Sequence, residues 1–417
     1  MGLSDAIARS ASRHAHALVV EVPGSWRTRM AAERSLFARG WRLAVSPADA
    51  DILVVCGEPG PGLAKAIEVV WHQMPGPRVR VDVHGGDEVG ARLDEAHTGL
   101  IDTDHHRRDA QQRPTASELL AEQAGPGAES HGGHEGMDHG GHEGMDHGGH
   151  EGMDHGGHEG MDHGGHEGMD HGGHEGMDHG GHEGHGDMEM SPGGIPLAEG
   201  GEDRDGLEMD VLQVRFGPVL PHWPAGLVLR CSLQGDVIVE AQAEVVDGPP
   251  RQEDDVIGSA RGIDNIASLL ALAGWDDAAA EARRIRDTAL EPGDGAAGSE
   301  LERLRRSVRR SWTLRWSLRG VRRLSDEDAH ARGLPADAVG DTYDRLIGML
   351  DRAVAGVAAT AAGNTGTRTN DAGRTLSTDH LAHLVMGLDL ATARLVLASL
   401  DIHELLAGQA EHEVSHG

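Results

Sequence analysis

Cysteine is nearly absent: Cys56 and Cys231 are the only two in 417 residues. They are too few and too far apart in sequence to hold an iron-sulfur cluster or a cysteine-based zinc site, and they imply no disulfide framework. A reducing compartment fits this usage. Lysine is scarcer still, with Lys65 alone among 37 basic residues, and the dominance of Arg beside abundant Ala and Gly fits a G+C-rich genome. No run reaches the roughly eighteen apolar residues of a spanning helix. The opening MGLSDAIARSASRHAHALVV has no basic segment leading into an apolar stretch and a cleavage site. The expectation is a cytoplasmic chain, at most peripheral at the inner face of the cell membrane.

Positive charge is also lacking, since 69 acids against 37 bases give a formal charge of −32. Residues 131–190 hold fifteen of those acids and no Lys or Arg, so nearly half the excess sits in one tract. The balance argues against nucleic acid as a partner. The length leaves room for two ordinary domains and a long linker.

That acidic tract repeats the octad HGGHEGMD six times from His131 to Asp178 without a substitution, and a seventh copy breaks off at Gly184. Each copy offers two imidazoles, a thioether and two carboxylates on a glycine-rich backbone, with no apolar surface to fold around. The histidines are His131, His134, His139, His142, His147, His150, His155, His158, His163, His166, His171, His174, His179 and His182. The methionines are Met137, Met145, Met153, Met161, Met169 and Met177, with Asp138 as the first of the aspartates. Neutral imidazole suits Ni, Cu(II) or Zn, and the thioether selects Cu(I). At four donors per ion the histidines hold on the order of three or four ions. Each ion must order an unstructured segment, which favours weak, multivalent binding suited to buffering or delivery. Exact identity between copies equally fits a linker expanded by recent duplication of DNA.

From His16 to Val83 short apolar runs (HALVVEV, WRLAVS, DADILVVCG, RVRVDV) alternate with helical stretches (RTRMAAERSLFARG, GLAKAIEVVWHQM). This predicts an α/β domain with a small, mostly parallel sheet over residues 1–100. The turn GEPGPG, Gly57–Gly62, lies where a strand meets a helix, the edge at which such sheets bind ligands, yet it matches neither a dinucleotide fingerprint nor a P-loop. Periodicity fades from about Gly85, and residues 101–204 read as a disordered linker with the metal-binding repeats at 131–184. Residues 205–417 read as a mainly α domain with a short β-hairpin. LEMDVLQVRFGPVL and GLVLRCSLQGDVIVEAQAEVV alternate like two antiparallel strands joined through PHWPA. Helices follow in ASLLALAG, which breaks at Gly274, in DDAAAEARRIRDTAL, and in LERLRRSVRRSWTLRWSLR behind a capping box of Ser299 and Glu302. The last two are AVGDTYDRLIGMLDRAVAGVAA and HLAHLVMGLDLATARLVLASL.

Nine arginines between Arg303 and Arg323 interleave with Trp312 and Trp316. They make either a basic amphipathic surface for an anionic membrane or acidic partner, or a solvated face with Leu304, Val308 and the tryptophans packed inward. His380, His383 and His403 border the last helix without a third donor nearby. Asp264, Asp276 and Asp277 read as helix N-terminal residues and not as a general acid/base pair. No Ser/His/Asp constellation stands out.

Ser46–Val83, SPADADILVVCGEPGPGLAKAIEVVWHQMPGPRVRVDV, resembles the core of the cluster-carrying small subunit shared by respiratory complex I and the membrane-bound nickel-iron hydrogenases. Val214–Val239, VRFGPVLPHWPAGLVLRCSLQGDVIV, is similar to the opening β-hairpin of the partner large subunit. Arg319–Pro335 resembles that subunit's segment after its long helices, and Leu384–Asp401 resembles a closing helix of this superfamily. The resemblance implies a fusion of degenerate versions of both subunits. Its departures are specific: WRTRM after Gly24 and Ser25 carries no thiolate, Cys56 sits inside a strand, and Cys231 alone cannot replace the two CxxC pairs of a nickel-iron centre. In the complex I type a quinone-site His follows Gly-Pro-x, whereas here Leu220 stands there, with His222 two residues on and the only tyrosine, Tyr343, elsewhere. The resemblance therefore implies an accessory or pseudo-subunit, not catalytic alone and without an iron-sulfur cluster, beside other subunits of a membrane-associated redox complex. A metal-handling protein for Ni, Cu or Zn, and an NADH- or quinone-linked oxidoreductase subunit, are the alternatives. Deleting residues 131–184 is expected to abolish uptake of on the order of three or four Ni, Cu or Zn ions, read by equilibrium dialysis with metal analysis; uptake that survives the deletion removes the octads as ligands.

Overall fold

Four short runs build the N-terminal sheet: β1 (His16–Glu21), β2 (Arg42–Leu43), β3 (Ile52–Cys56) and β4 (Val79–Val83). The computed structural model, which describes residues 9–114, 199–202, 208–247, 258–291, 296–362 and 375–406, pairs them all in parallel in the order β2-β1-β3-β4. Helices α1 (Trp26–Ala38), α2 (Pro61–Gln73) and α3 (Val89–Ile101) cover both faces. All five residues of β3 are buried, as a strand between two helical layers requires. Their alternation divides the core. Ile52, Val54 and Cys56 meet Leu36 of α1 and Leu93 of α3, whereas Leu53 and Val55 meet Leu63 and Ile67 of α2. The expected α/β region with a parallel sheet is present.

The stretch from Gly85 that reads as linker instead carries α3 and a further helix, α4 (Thr103–Gln112). α3 sends Val89, Leu93, Ala96 and Leu100 into the core at helical spacing. α4 buries nothing, so no apolar stripe announces it; Asp102 caps its N-terminus through the amides of Asp104 and His105. Asp109 anchors it to the buried Arg78 at 3.0 Å.

The second half opens on an antiparallel sheet, β5 (Glu199–Glu202), β6 (Glu208–Phe216), β7 (Leu227–Gln234) and β8 (Val237–Val245), in that order. It is larger than the expected hairpin because the second alternating run folds back at Gly235, where φ is +61°. Six helices lead on to a last short strand pair: α5 (Gly258–Leu272), α6 (Asp276–Leu290), α7 (Ala296–Arg310), α8 (Trp312–Leu318), α9 (Asp326–Ala331) and α10 (Thr342–Ala361). β9 (Thr375–Ser377), α11 (Thr378–Val385), α12 (Leu390–Ser399) and β10 (Glu404–Leu406) complete the described residues, with β9 and β10 parallel. Gly274 ends α5 as expected, with φ +76°.

Two expected helices are interrupted, each by a capping side chain. α7 starts before Ser299, whose hydroxyl donates to the Ala296 carbonyl instead of capping the helix. It stops at Ser311, which accepts from the Leu314 amide at 3.3 Å and starts α8. The final run divides where Asp389 accepts from the Thr392 amide at 2.9 Å and opens α12. Helices α5, α6, α7, α8 and α10 share one core, while β7 packs with α11 and α12 in another. The α/β half and this mainly helical half belong to one compact unit. The octads lie outside the described residues, and among the described residues no helix is long and apolar enough to cross a membrane.

Candidate functional site

An acid on an apolar helix face must find a partner when the face closes. Glu33 lies beside Ala32 on the buried face of α1, and Asp264 lies between Ile263 and Ile266 on α5, both carboxylates being buried. Arg286 of α6, 0% exposed, answers both: its guanidinium donates to Glu33 Oε2 at 2.7 Å and to Asp264 Oδ1 at 2.6 Å. Arg29 of α1 donates to Glu33, to Asp264 and to Glu21 at the end of β1. Arg261 of α5 closes the set on Glu21 at 3.1 Å. The network thus ties β1 and α1 to α5 and α6, across more than two hundred residues of sequence. Burial would raise the pKa of Glu33 and Asp264, but Arg29 and Arg286 overcome it and hold both below the ordinary carboxylate range. Asp264 is therefore an interior helix residue with a buried partner set, not the N-terminal residue expected; Asp276 and Asp277 do occupy the first turn of α6.

Over this network lies a cavity of about 530 Å³, within the usual size of a small-molecule site. Glu21, Arg29 and Asp264 line its charged side, Phe37 and Leu43 come from the α/β half, and the loop between β6 and β7 contributes Leu220, His222 and Trp223. The loop is held rigidly. Gly217 has φ +78°, and a Cβ there would lie 2.2 Å from the Leu227 carbonyl oxygen. Trp223 Nε1 donates to that same carbonyl at 2.7 Å, and Arg394 donates to the Pro221 carbonyl at 2.7 Å. His222 takes the left-handed conformation at φ +56°, uncommon for a side chain without a specific constraint. Burial, with the Arg283 charge acting in the same direction, pushes its pKa down to about 4. The imidazole is neutral at physiological pH and offers one donor and one acceptor. Arg283 packs over the Phe37 ring at 5.9 Å. It also lines the cavity, as do Asp276 and Asp277. The arrangement can bind a small polar molecule.

The residues singled out in the sequence are dispersed. Cys56 and Cys231 are free thiols buried in separate cores, and burial pushes both pKa values up. Leu220 and His222 both reach the cavity, whereas Tyr343 packs in the helical core, with Arg315 5.4 Å from its ring. Among the described residues no three His, Cys, Asp or Glu side chains gather to hold a metal, so His380, His383 and His403 do not form such a group. The octad donors His131 to His182 lie outside the described residues. The helix end at GEPGPG is filled by the chain itself: Asp247 accepts from the amides of Gly62 at 2.9 Å and Leu63 at 2.7 Å. A Cβ on Gly60 would lie 2.5 Å from Asp247 Cγ, so this glycine serves a carboxylate of the other half and not a phosphate.

No protein-family model matches the chain, and no curated protein or solved structure matches it.

Arg286→Met is expected to cost about 3–5 kcal/mol, because it leaves two buried carboxylates short of a partner. Chemical denaturation reads this directly, and a loss below about 1 kcal/mol would mean that water reaches the network. His222 gives a separate signature. As pH falls from 6.5 to about 4 the unfolded chain protonates this imidazole while the folded chain does not. Stability is thus complete above that window and declines through it, by about 2–3 kcal/mol in all. His222→Gln is expected to flatten the profile of urea midpoint against pH in this window; a profile identical to that of the parent chain refutes the assignment.

Proposed function

We propose that this chain is an accessory subunit of a membrane-associated redox assembly related to respiratory complex I and the membrane-bound nickel-iron hydrogenases. In this reading it is a small-and-large-subunit pair fused into one chain, kept in a docked pose and not catalytic alone. The supporting observation is the seam. The small-subunit-like segment Ser46–Val83 supplies β3, α2 and β4, and the large-subunit-like segment Val214–Val239 supplies the cavity loop and β7. Asp247 and the Arg29, Arg286, Glu33 and Asp264 network join the halves that contain them. A docking surface between two subunits of that family would need such charge complementarity.

The residues do not fit the family's metal groups. Two thiols in separate cores cannot supply the four thiolates of a cluster or the two CxxC pairs of a nickel-iron centre. No electron-transfer step is assigned to the chain, and chemistry in the assembly belongs to its partners. The six identical octads favour a second reading, Ni, Cu or Zn buffering or delivery with the folded unit as the address.

Purification of the untagged chain from its own host separates the two. Copurification with cluster-bearing or membrane subunits, unchanged when residues 131–184 are deleted, is the outcome expected of an accessory subunit. A chain that arrives alone with stoichiometric Ni, Cu or Zn, all of it lost with the octads, overturns that reading in favour of metal handling.

A further inference from the structure

Helices α7 and α8 carry a feature that the seam does not use. α7 buries Ala297, Leu301, Leu304 and Val308. Arg303, Arg306 and Arg310, three and four residues apart, line its exposed side. α8 packs Leu314 and Leu318 into the same core and sends Trp312 and Trp316, one turn apart, the other way. These two indoles are 72% and 73% exposed and stack on one another, with ring centroids 6.4 Å apart and planes 19° from parallel. Arg319 is exposed beside them, whereas Arg315, also exposed, lays its guanidinium over the Tyr343 ring. Thus the inward packing that an ordinary solvated helix gives its tryptophans is not adopted, although Leu304 and Val308 do pack inward. Arg305 and Arg309 pair with Asp351. Arg303, Arg306, Arg310, Arg315 and Arg319 form no ion pair among the described residues.

A solvated face accounts for arginines but not for two adjacent indoles left in water, each a large apolar area. Indole and guanidinium together occur at protein interfaces and at the boundary between lipid headgroups and acyl chains, and a row of unpaired arginines beside the rings favours the second. There the ring lies at the level of the headgroups and the arginine fork meets phosphate oxygens. The two rings stand on the outer side of a helix and do not line the cavity, so they present an outward ridge and not a groove for a peptide. The chain's formal charge of −32 opposes an anionic surface, but screening over about 8 Å at physiological ionic strength leaves the sign of the local face in control.

We propose that α7 and α8 dock this chain on the surface of a bilayer rich in anionic lipid, with Trp312 and Trp316 at the headgroup boundary and Arg303, Arg306, Arg310 and Arg319 against the phosphates. The contact is with lipid and does not depend on any partner subunit, so it stands or falls apart from the accessory-subunit reading.

Cosedimentation of the full chain with phosphatidylcholine vesicles, with and without about one-third phosphatidylserine, tests it. Binding is expected only to the anionic vesicles and is expected to fall at high salt. W312S/W316S is expected to weaken it about tenfold, with R303Q/R310Q/R319Q removing most of the salt dependence. Both variants alter exposed side chains only, and circular dichroism checks that each stays folded. Brominated lipid is expected to quench tryptophan fluorescence in the parent chain and not in W312S/W316S. Equal binding to neutral vesicles, or binding that either folded variant leaves intact, overturns the proposal. Failure to bind anionic vesicles, with loss of a copurifying acidic protein in W312S/W316S, overturns it in favour of a protein-docking surface.

Discussion

The buried pairing of Arg29, Arg261 and Arg286 with Glu21, Glu33 and Asp264 governs how the two halves of this molecule meet. Each of these charges costs several kcal/mol to remove from water, and apolar residues of the same volume would pack at least as favourably. The network's contribution is therefore one of geometry more than of net stability. Two apolar faces tolerate a slide of an ångström or two, but a planar guanidinium that must meet carboxylates from different elements does not. Arg29 alone joins β1, its own helix and α5, and a shift of α5 would strand a charge in the core. Asp247 adds a second fixed point on the amides that open α2.

The cavity follows from that fixed pose. Its charged side is already neutralised internally, so those side chains cannot swing in to fill the space without breaking pairs. The opposite wall cannot collapse either: Gly217 lies against the Leu227 carbonyl, Trp223 is bonded to it, and Arg394 holds Pro221. A close-packed interior loses voids wherever its walls can relax, and here both walls are pinned. The same enclosure explains why His222 stays neutral. Its ring is largely buried and faces Arg283, so a proton there would lose hydration and add positive charge beside positive charge.

The α/β half was legible because its strands are short apolar runs with turns between them and its helices carry an apolar stripe. α3 is equally legible, since Val89, Leu93, Ala96 and Leu100 keep helical spacing; the His-bearing, acidic residues just beyond it mask the boundary. α4 has no stripe to find, and its one signal is Asp102 ahead of a polar stretch. The interruptions at Ser311 and Asp389 fall inside runs whose periodicity continues across them, so only the capping chemistry marks the break. The candidate site was hardly legible. Leu220 and His222 are marked only by resemblance to a family loop, Asp264 reads as a helix N-terminal residue, and Glu33 carries no motif, although each acid is set into an apolar helix face. That pattern is a usable signal for a buried partner, while the partner's identity, an arginine more than two hundred residues away, is tertiary information.

Arginine supply and arginine placement are separate matters. Lys65 is alone among 37 basic residues, but that usage says nothing of where a guanidinium is buried. Arg286 meets its full complement of carboxylates, and the buried Arg345 is satisfied by the Ser399 hydroxyl and the Gly340 carbonyl. Arg78 stacks on Trp71 and pairs with Asp109. Interior arginines are thus matched one by one. On the surface, Arg305 and Arg309 share Asp351 while their neighbours Arg303, Arg306 and Arg310 have no ion pair among the described residues. Glu300 and Glu302 stand at helical spacing before Arg303 and Arg306, yet Glu302 pairs with Arg305 instead. The unpaired row precedes, by one helix, two stacked and exposed indoles, and this combination separates the outer face of α7 and α8 from the rest of the surface.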